Sequence, residues 1–254
     1  MRIDDRKLRL LESRVDGLKR TDRDADDRKT YDEVFDRTTL FALYKLISDR
    51  TLETVDYPIA TGKEGNVFHA TSKEGGVALK IYRVNTATFR SLSEYIIGDP
   101  RFKKIGRTFR DMITVWAQKE FKNLSKMREA GARVPQPIAV HQNCLVMEYV
   151  GDETMPAPLI RAVRLEDPRA AYEEVVASMK AIRKAKLVHG DLSEYNMLWW
   201  DGHPWIIDCA QGVTFDHPQA DDWFLRDCAI VAKYFRRVGV DADADRLAEM
   251  VLGG

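Results

Sequence analysis

The chain is poor in the features that would place it quickly. Its lysines and arginines are matched by its aspartates and glutamates, 40 against 40, so no excess charge directs it to nucleic acid or a membrane surface. Apolar segments are broken by charges well short of membrane-span length, and the charged amino-terminal residues lack the apolar core of a secretory signal. A cytoplasmic protein with no membrane and no DNA partner is therefore expected. The three cysteines, Cys144, Cys209 and Cys228, are odd in number and isolated, which speaks against a disulfide framework or a zinc site and for buried free thiols. Cys209 lies beside a site carboxylate and is expected to be sensitive to oxidation without being catalytic. There is no internal repeat.

What is present is concentrated between Leu187 and Gln211. Leu187-Val-His-Gly-Asp-Leu-Ser-Glu-Tyr-Asn196 runs into the apolar Met197–Trp200, then a turn at Asp201-Gly202-His203-Pro204, then Trp205-Ile-Ile-Asp208. Apolar runs either side of turn residues predict a hairpin that brings Asn196 and Asp208 together. Magnesium takes oxygen ligands, one or two from protein and the rest from phosphates and water. Asn196 and Asp208 suit that role, and Asp191 is left to accept a proton from an attacking hydroxyl or to orient a water. Asp, then Asn five residues later, then Asp at a strand end is the layout of protein-kinase-like phosphoryl transfer. The competing reading makes these residues simple turn formers.

Upstream, residues 1 to about 30 alternate basic and acidic side chains with few apolar anchors, as in a solvated helix or arm. From Tyr31 to Arg50 apolar residues recur at Val34, Phe35, Leu40, Phe41, Tyr44 and Ile47, and the last three keep helical spacing. The helix is expected to dock on the domain that follows, with partner binding as the alternative. Next, Ile59–Ala70 and Val77–Tyr82 predict strands around glycine-bearing turns, and Gly62 and Gly65 would let backbone amides approach phosphate oxygens. Lys80, in Val-Ala-Leu-Lys, is the candidate phosphate lysine, to be oriented by a helix carboxylate. That helix is predicted from Asp111 to Ala130, and Glu120 is the chosen partner, since Asp111 and Glu129 sit at ends where a bland explanation suffices. The intervening insert, residues 83–110, is long enough to be a functional or mobile loop.

Val134–Val140 and Cys144–Val150 predict a further hairpin whose end, Met147-Glu148-Tyr149-Val150, connects two lobes and can read an adenine edge; an ordinary core strand is the alternative. Gly151, Pro156 and Pro158 mark the boundary. Beyond it Asp167-Pro168 starts a helix with an apolar face at Ala171, Val175, Met179 and Ile182. Another runs from Asp221 to Val238 with Trp223, Ile230, Tyr234 and Phe235 as core, and a last one carries Leu247 and Val251. The domains expected are an arm and docking helix over 1–50, an amino-terminal lobe over 51–150 containing the insert, and a carboxy-terminal lobe over 151–254.

These motifs resemble the RIO kinases, in particular their first branch. Ala60-Thr61-Gly62-Lys63-Glu64-Gly65-Asn66-Val67-Phe68 is similar to the family's phosphate loop. Leu187–Asn196 matches its catalytic loop in full, and Ile206-Ile207-Asp208-Cys209-Ala210-Gln211 its metal strand. The resemblance extends from about Thr51 onward. It implies an α+β fold, a trimmed bilobal protein-kinase-like architecture with an antiparallel-sheet amino-terminal lobe and a mainly helical carboxy-terminal lobe, lacking the activation segment and peptide-binding subdomains. It further implies Asp191 as catalytic acid/base, Asn196 and Asp208 on magnesium or manganese, and Asp208 as the carboxylate that takes up phosphate transiently. Thr61, Gly62, Lys63, Lys80 and Glu120 would serve the ATP phosphates, and Met147, Glu148 and Val150 the adenine. Family members autophosphorylate on serine, for which Ser91, Ser93 and Thr108 are candidates, and act in maturation of the small ribosomal subunit. Cys209-Ala210 departs from the family's Val-Ser beside the metal.

Three functions follow for comparison. The first is an ATP-dependent serine protein kinase or ATPase acting on pre-ribosomal particles, with a protein serine substrate. The second is a small-molecule kinase of the aminoglycoside or choline type, against which the short tail after Asp208 argues. The third is a nucleotide-gated module that docks on ribosomal RNA and protein, with hydrolysis resetting it.

Overall fold

A computed structural model describes residues 34–62, 65–83, 95–96, 99–102 and 108–253. Lys63, Ser91, Ser93 and the amino-terminal arm lie outside the described residues. The described chain forms two compact units, one of residues 34–62, 65–83, 108–118 and 137–149, the other of residues 95–96, 99–102, 119–136 and 150–253. No helix among the described residues is long and apolar enough to cross a membrane.

The first unit is a five-stranded antiparallel sheet in the order β1-β2-β3-β5-β4, with β1 Thr54–Thr61, β2 Gly65–Ser72, β3 Gly75–Tyr82, β4 Pro137–His141 and β5 Cys144–Glu148. The pairing of edge strand β1 slips twice, at Asp56 and Ile59, and Pro58 lies beside the second slip, where a missing ladder donor is tolerated. From Val77 to Tyr82 the central strand β3 is buried on both faces. Gly65 is required by that strand: a Cβ there would lie 2.5 Å from the Ile81 carbonyl oxygen. Close backbone packing therefore gives this glycine a structural reason of its own.

Helix α1, Arg37–Ser48, lies on this unit's core. Asp36 caps it, accepting from the Thr39 N–H at 2.7 Å, and its second oxygen pairs with Arg110 at 2.8 Å. The buried stripe is Thr39, Leu40, Ala42, Leu43 and Leu46, while Phe41, Tyr44 and Ile47 are half-buried. The helix thus turns its leucine face inward, and the aromatic spacing in the sequence marked the flank. Buried Asn143 secures the contact, donating to Thr39 Oγ1 at 2.8 Å and to the Tyr82 carbonyl at 3.0 Å.

Helix α2, Phe109–Glu129, supplies residues 109–118 to the first unit and 119–129 to the second. The second unit continues with α3, Pro168–Lys184, capped by Asp167 with proline at the first position, as its sequence predicts. Two small ladders follow: β6 Leu187–Val188 pairs with β9 Val213–Thr214, and β7 Met197–Trp200 with β8 His203–Ile206 around a two-residue turn at Asp201-Gly202. Helix α4, Ala220–Arg237, and α5, Ala244–Leu252, complete it. Val175, Met179, Phe224, Val231, Phe235 and Leu247 are buried in its core; Val231 takes the inward place expected of the half-buried Ile230. The β6/β9 pairing was not expected, because two-residue strands carry no periodicity to detect.

Leu43 is wholly buried among the helix and sheet side chains of the first unit. Replacing it by alanine is expected to lower unfolding stability by about 2–5 kcal/mol, measured by urea denaturation. A loss within about 0.5 kcal/mol, the range of a surface substitution, would mean that α1 is not part of the cooperative core.

Candidate active site

The loop between β6 and β7 carries Asp191 and Asn196, and its shape is set by hydrogen bonds to its backbone. His189 is buried; its Nδ1 accepts from the Asp191 N–H at 3.3 Å, so Nε2 carries the proton and donates to the Ile207 carbonyl at 3.1 Å. Asp227, on α4, accepts from the Gly190 N–H at 2.8 Å and the Leu192 N–H at 2.9 Å. One carboxylate therefore grips the backbone on both sides of Asp191. Arg226 donates to the Gly190 carbonyl, and Arg237 to the buried Glu194 of the same loop. The Arg237 partner lies forty-three positions away in sequence.

Asn196 Nδ2 donates to the Asp191 carbonyl at 2.8 Å and to Asp191 Oδ2 at 3.0 Å, which fixes the amide and leaves Oδ1 without a hydrogen bond among the described residues. Burial, helped by the negative charge of Asp208, raises the Asp191 carboxyl above its ordinary range, against the pull of the Asn196 hydrogen bond. A carboxylate so raised is a better proton acceptor than a free one. The Ile207 N–H bonds to the Asn196 carbonyl at 3.0 Å, which sets the end of the hairpin against the catalytic loop.

Asp208 follows at φ 58°, ψ 58°, the left-handed region, and opens a tight turn over Cys209–Gln211. A non-glycine residue pays about 1–2 kcal/mol for that conformation, so its surroundings must impose it. Glu120 is buried, and its Oε1 accepts from the Cys209 N–H at 3.2 Å, the residue next to Asp208. Cys209 is itself fully buried, so the expected sensitivity to oxidation is not supported by access. Burial likewise raises the thiols of Cys144 and Cys228 above their ordinary range.

The remaining residues assigned to nucleotide are placed as follows. Thr61 ends β1, exposed, with Gly62 after it, whose N–H closes the turn onto the Gly65 carbonyl at 2.9 Å. Lys80 is buried on β3, aligned with Val67 and Leu145, its ammonium 5.0 Å from the Tyr82 ring centre. Met147 and Glu148 close β5, half-buried, and all five belong to the first unit. Val150, buried, belongs to the second unit with Glu120, Asp191, Asn196 and Asp208. Thr108, an autophosphorylation candidate, is engaged at the start of α2, where its hydroxyl bonds Asp111 at 2.7 Å.

The donor set tests the metal expectation. No three His, Cys, Asp or Glu side chains among the described residues converge as a metal site. One amide oxygen oriented by its own N–H bonds and one carboxylate fit a hard cation whose other ligands come from phosphate oxygens and water. They do not fit zinc, which wants nitrogen or sulfur and a closed shell.

Sequence reasoning passed over Asp227. The available signal was its place on α4 between Trp223 and Val231, four residues from each, which sets an acid on the apolar stripe.

The chain matches the RIO domain family over residues 66–247. It is 46% identical over 250 residues to the RIO-type serine/threonine-protein kinase Rio1 of Haloferax volcanii, covering 98% of this chain and 86% of that protein. It is 39% identical over 250 residues to the serine/threonine-protein kinase RIO1 of Caenorhabditis elegans, covering 96% of this chain but 49% of the worm protein. In fold it is similar to the Rio2 kinase of Chaetomium thermophilum crystallised as an ADP/Mg2+-phosphoaspartate complex, with a TM-score of 0.62 at 24% identity over 85% of this chain and 70% of the other.

Burial pushes the Asp227 carboxyl up to about 7, against the two N–H bonds it accepts. From the ordinary value near 4 up to about 7 the folded state keeps a proton that the unfolded state has released, so stability falls as pH rises through that window. In Asp227→Asn this part of the slope is expected to vanish. Urea midpoints taken across the window for both proteins check it; parallel curves would refute the assignment.

Proposed function

The chain belongs to the family of RIO-type serine/threonine protein kinases, and from that premise we propose that it binds ATP with magnesium or manganese and transfers the γ-phosphoryl group to a serine hydroxyl, its own included. The observation that carries this is the joint placement of Asp191 and Asn196 in one loop, with the Asn196 amide pinned to Asp191 and its oxygen left for a cation. Asp191 accepts the proton of the attacking hydroxyl. Asn196 Oδ1 and the Asp208 carboxylate hold the cation, which when bound neutralises charge on the phosphate oxygens. Lys80 and Glu120 serve the phosphates, with Thr61, Gly62 and Lys63, while Met147, Glu148 and Val150 serve the adenine. The reaction breaks the bond from the γ-phosphorus to the bridging oxygen and releases ADP.

A second reading is favoured by the fungal Rio2 kinase, which is captured as an ADP/Mg2+-phosphoaspartate complex. In this chain the corresponding acceptor would be Asp208, with its carboxylate oxygen attacking the γ-phosphorus and water later cleaving the acyl phosphate. Turnover would then be a conformational switch. Either activity suits a cytoplasmic protein that works on the maturing small ribosomal subunit, contacting its protein and RNA surfaces. That assignment rests on the family resemblance.

A single-turnover assay with γ-labelled ATP and magnesium on the full chain tests both readings. Removing a general base lowers the rate by about 100- to 10,000-fold, so Asp191→Ala is expected to lose label on an acid-stable serine ester to that extent while still binding ATP. Label in a hydroxylamine-sensitive form that disappears in Asp208→Asn supports the switch. Turnover unchanged in Asp191→Ala refutes the first reading, and label that stays hydroxylamine-stable in the wild type refutes the second.

A further inference from the structure

The turn after Asp208 directs its carbonyl groups at one stretch of α2. Lys119 Nζ donates to the Ala210 carbonyl at 2.7 Å and to that of Gly212. Asn123 Nδ2 donates to the Cys209 carbonyl at 2.7 Å and the Gly212 carbonyl at 2.8 Å. Both side chains are completely buried, so each bond is made in a medium where a lost partner is not replaced by water. The Asn123 oxygen accepts from Arg101 Nη1 at 2.8 Å, which fixes the amide, since a flipped Asn123 would present N–H to guanidinium. Arg101 is in turn forked onto Asp99, Nε to Oδ1 at 2.9 Å and Nη2 to Oδ2 at 2.6 Å, and the Asp99 carboxylate is fully buried.

Gly212 fits this arrangement by having no side chain. A Cβ at that position would lie 2.9 Å from Asn123 Nδ2, 3.1 Å from the Val188 carbonyl oxygen and 3.2 Å from that of Cys209. The amide occupies the space a larger residue would need. With Glu120 accepting from the Cys209 N–H, the turn is held at three carbonyls and one N–H, beginning one residue past the left-handed Asp208. Aspartate visits that conformation more often than most residues but still at a cost, which the bonded turn beyond it offsets. Arg101, moreover, is carried by the insert between β3 and α2, in a short turn at Pro100–Phe102.

We propose that Lys119, Asn123 and Arg101 are positioning residues that hold Asp208 in its left-handed conformation and so aim its carboxylate at the divalent cation, with Arg101 making cation affinity depend on the seating of residues 99–102. The inference rests on Asp208 being a metal ligand. If the three served only to fill the interior, their loss would lower stability and leave cation affinity alone.

The test is Mn2+ binding to the full chain with a non-hydrolysable ATP analogue, read by electron paramagnetic resonance of the free ion, beside a thermal melt. Arg101→Met and Lys119→Met are expected to weaken Mn2+ binding by about 10- to 100-fold, the usual effect of losing a residue that orients a metal ligand. Arg101→Lys, which keeps the charge and loses the fork, should fall between, and it decides the matter if the methionine variants do not fold. Analogue binding without metal should be unchanged. Variants that melt cooperatively and bind Mn2+ like the wild type overturn the proposal. Asp208→Asn separates the two levels: if it too leaves Mn2+ binding intact, the metal assignment fails first; if it alone weakens binding, only the positioning role fails.

Discussion

The second unit depends on burying polar side chains against backbone. Lys119, Asn123 and Asp227 are each almost wholly withdrawn from water, and each bonds main-chain atoms of the segments bearing Asp191 and Asp208. Such groups tolerate little displacement, because a buried donor that loses its acceptor forfeits its full hydration. Main-chain segments that would otherwise be ordinary loops are thus held as firmly as a ladder. Phosphoryl transfer asks for this, since it is mostly positioning and electrostatics.

The two grips differ in kind. Asp227 is an acceptor for N–H groups at both sides of Asp191, with Arg226 on the intervening carbonyl. Lys119 and Asn123 are donors for carbonyls past Asp208. Between them the Ile207 N–H bonds Asn196 and its carbonyl receives His189. Errors in one segment are therefore passed to the other through Ile207, a residue with no chemistry of its own.

Much of this was legible in the sequence and some was not. Leu187–Asn196 and Ile206–Gln211 identify a RIO kinase, and with it an α+β kinase-like fold, because the residues of a transfer site occur at fixed spacing in a short stretch. The antiparallel strands around Lys80 and the capped start at Asp167-Pro168 are local signals and were equally readable. The clamp was not. Lys119 beside Glu120 has the look of a solvated pair, and its acceptors lie over ninety positions away. The visible sign was positional: Met112, Trp116, Lys119, Asn123 and Met127 follow one helical stripe, so two polar residues stand among buried apolar ones. In α1 the aromatic residues drew attention to the wrong flank, because size and spacing do not say which side of a helix the sheet will cover.

The two units interleave along the chain, and that bears on how the protein can be divided. A cut near Tyr149, at the connector expected from the sequence, leaves residues 119–136 on the amino-terminal fragment. The carboxy-terminal fragment would keep Asp191, Asn196, Asp208 and Asp227 but lack the side chains of Lys119, Glu120 and Asn123 that fasten the turn after Asp208. Proteolytic fragments or split halves of this protein would need to re-associate through α2 before either could present a complete set of site residues.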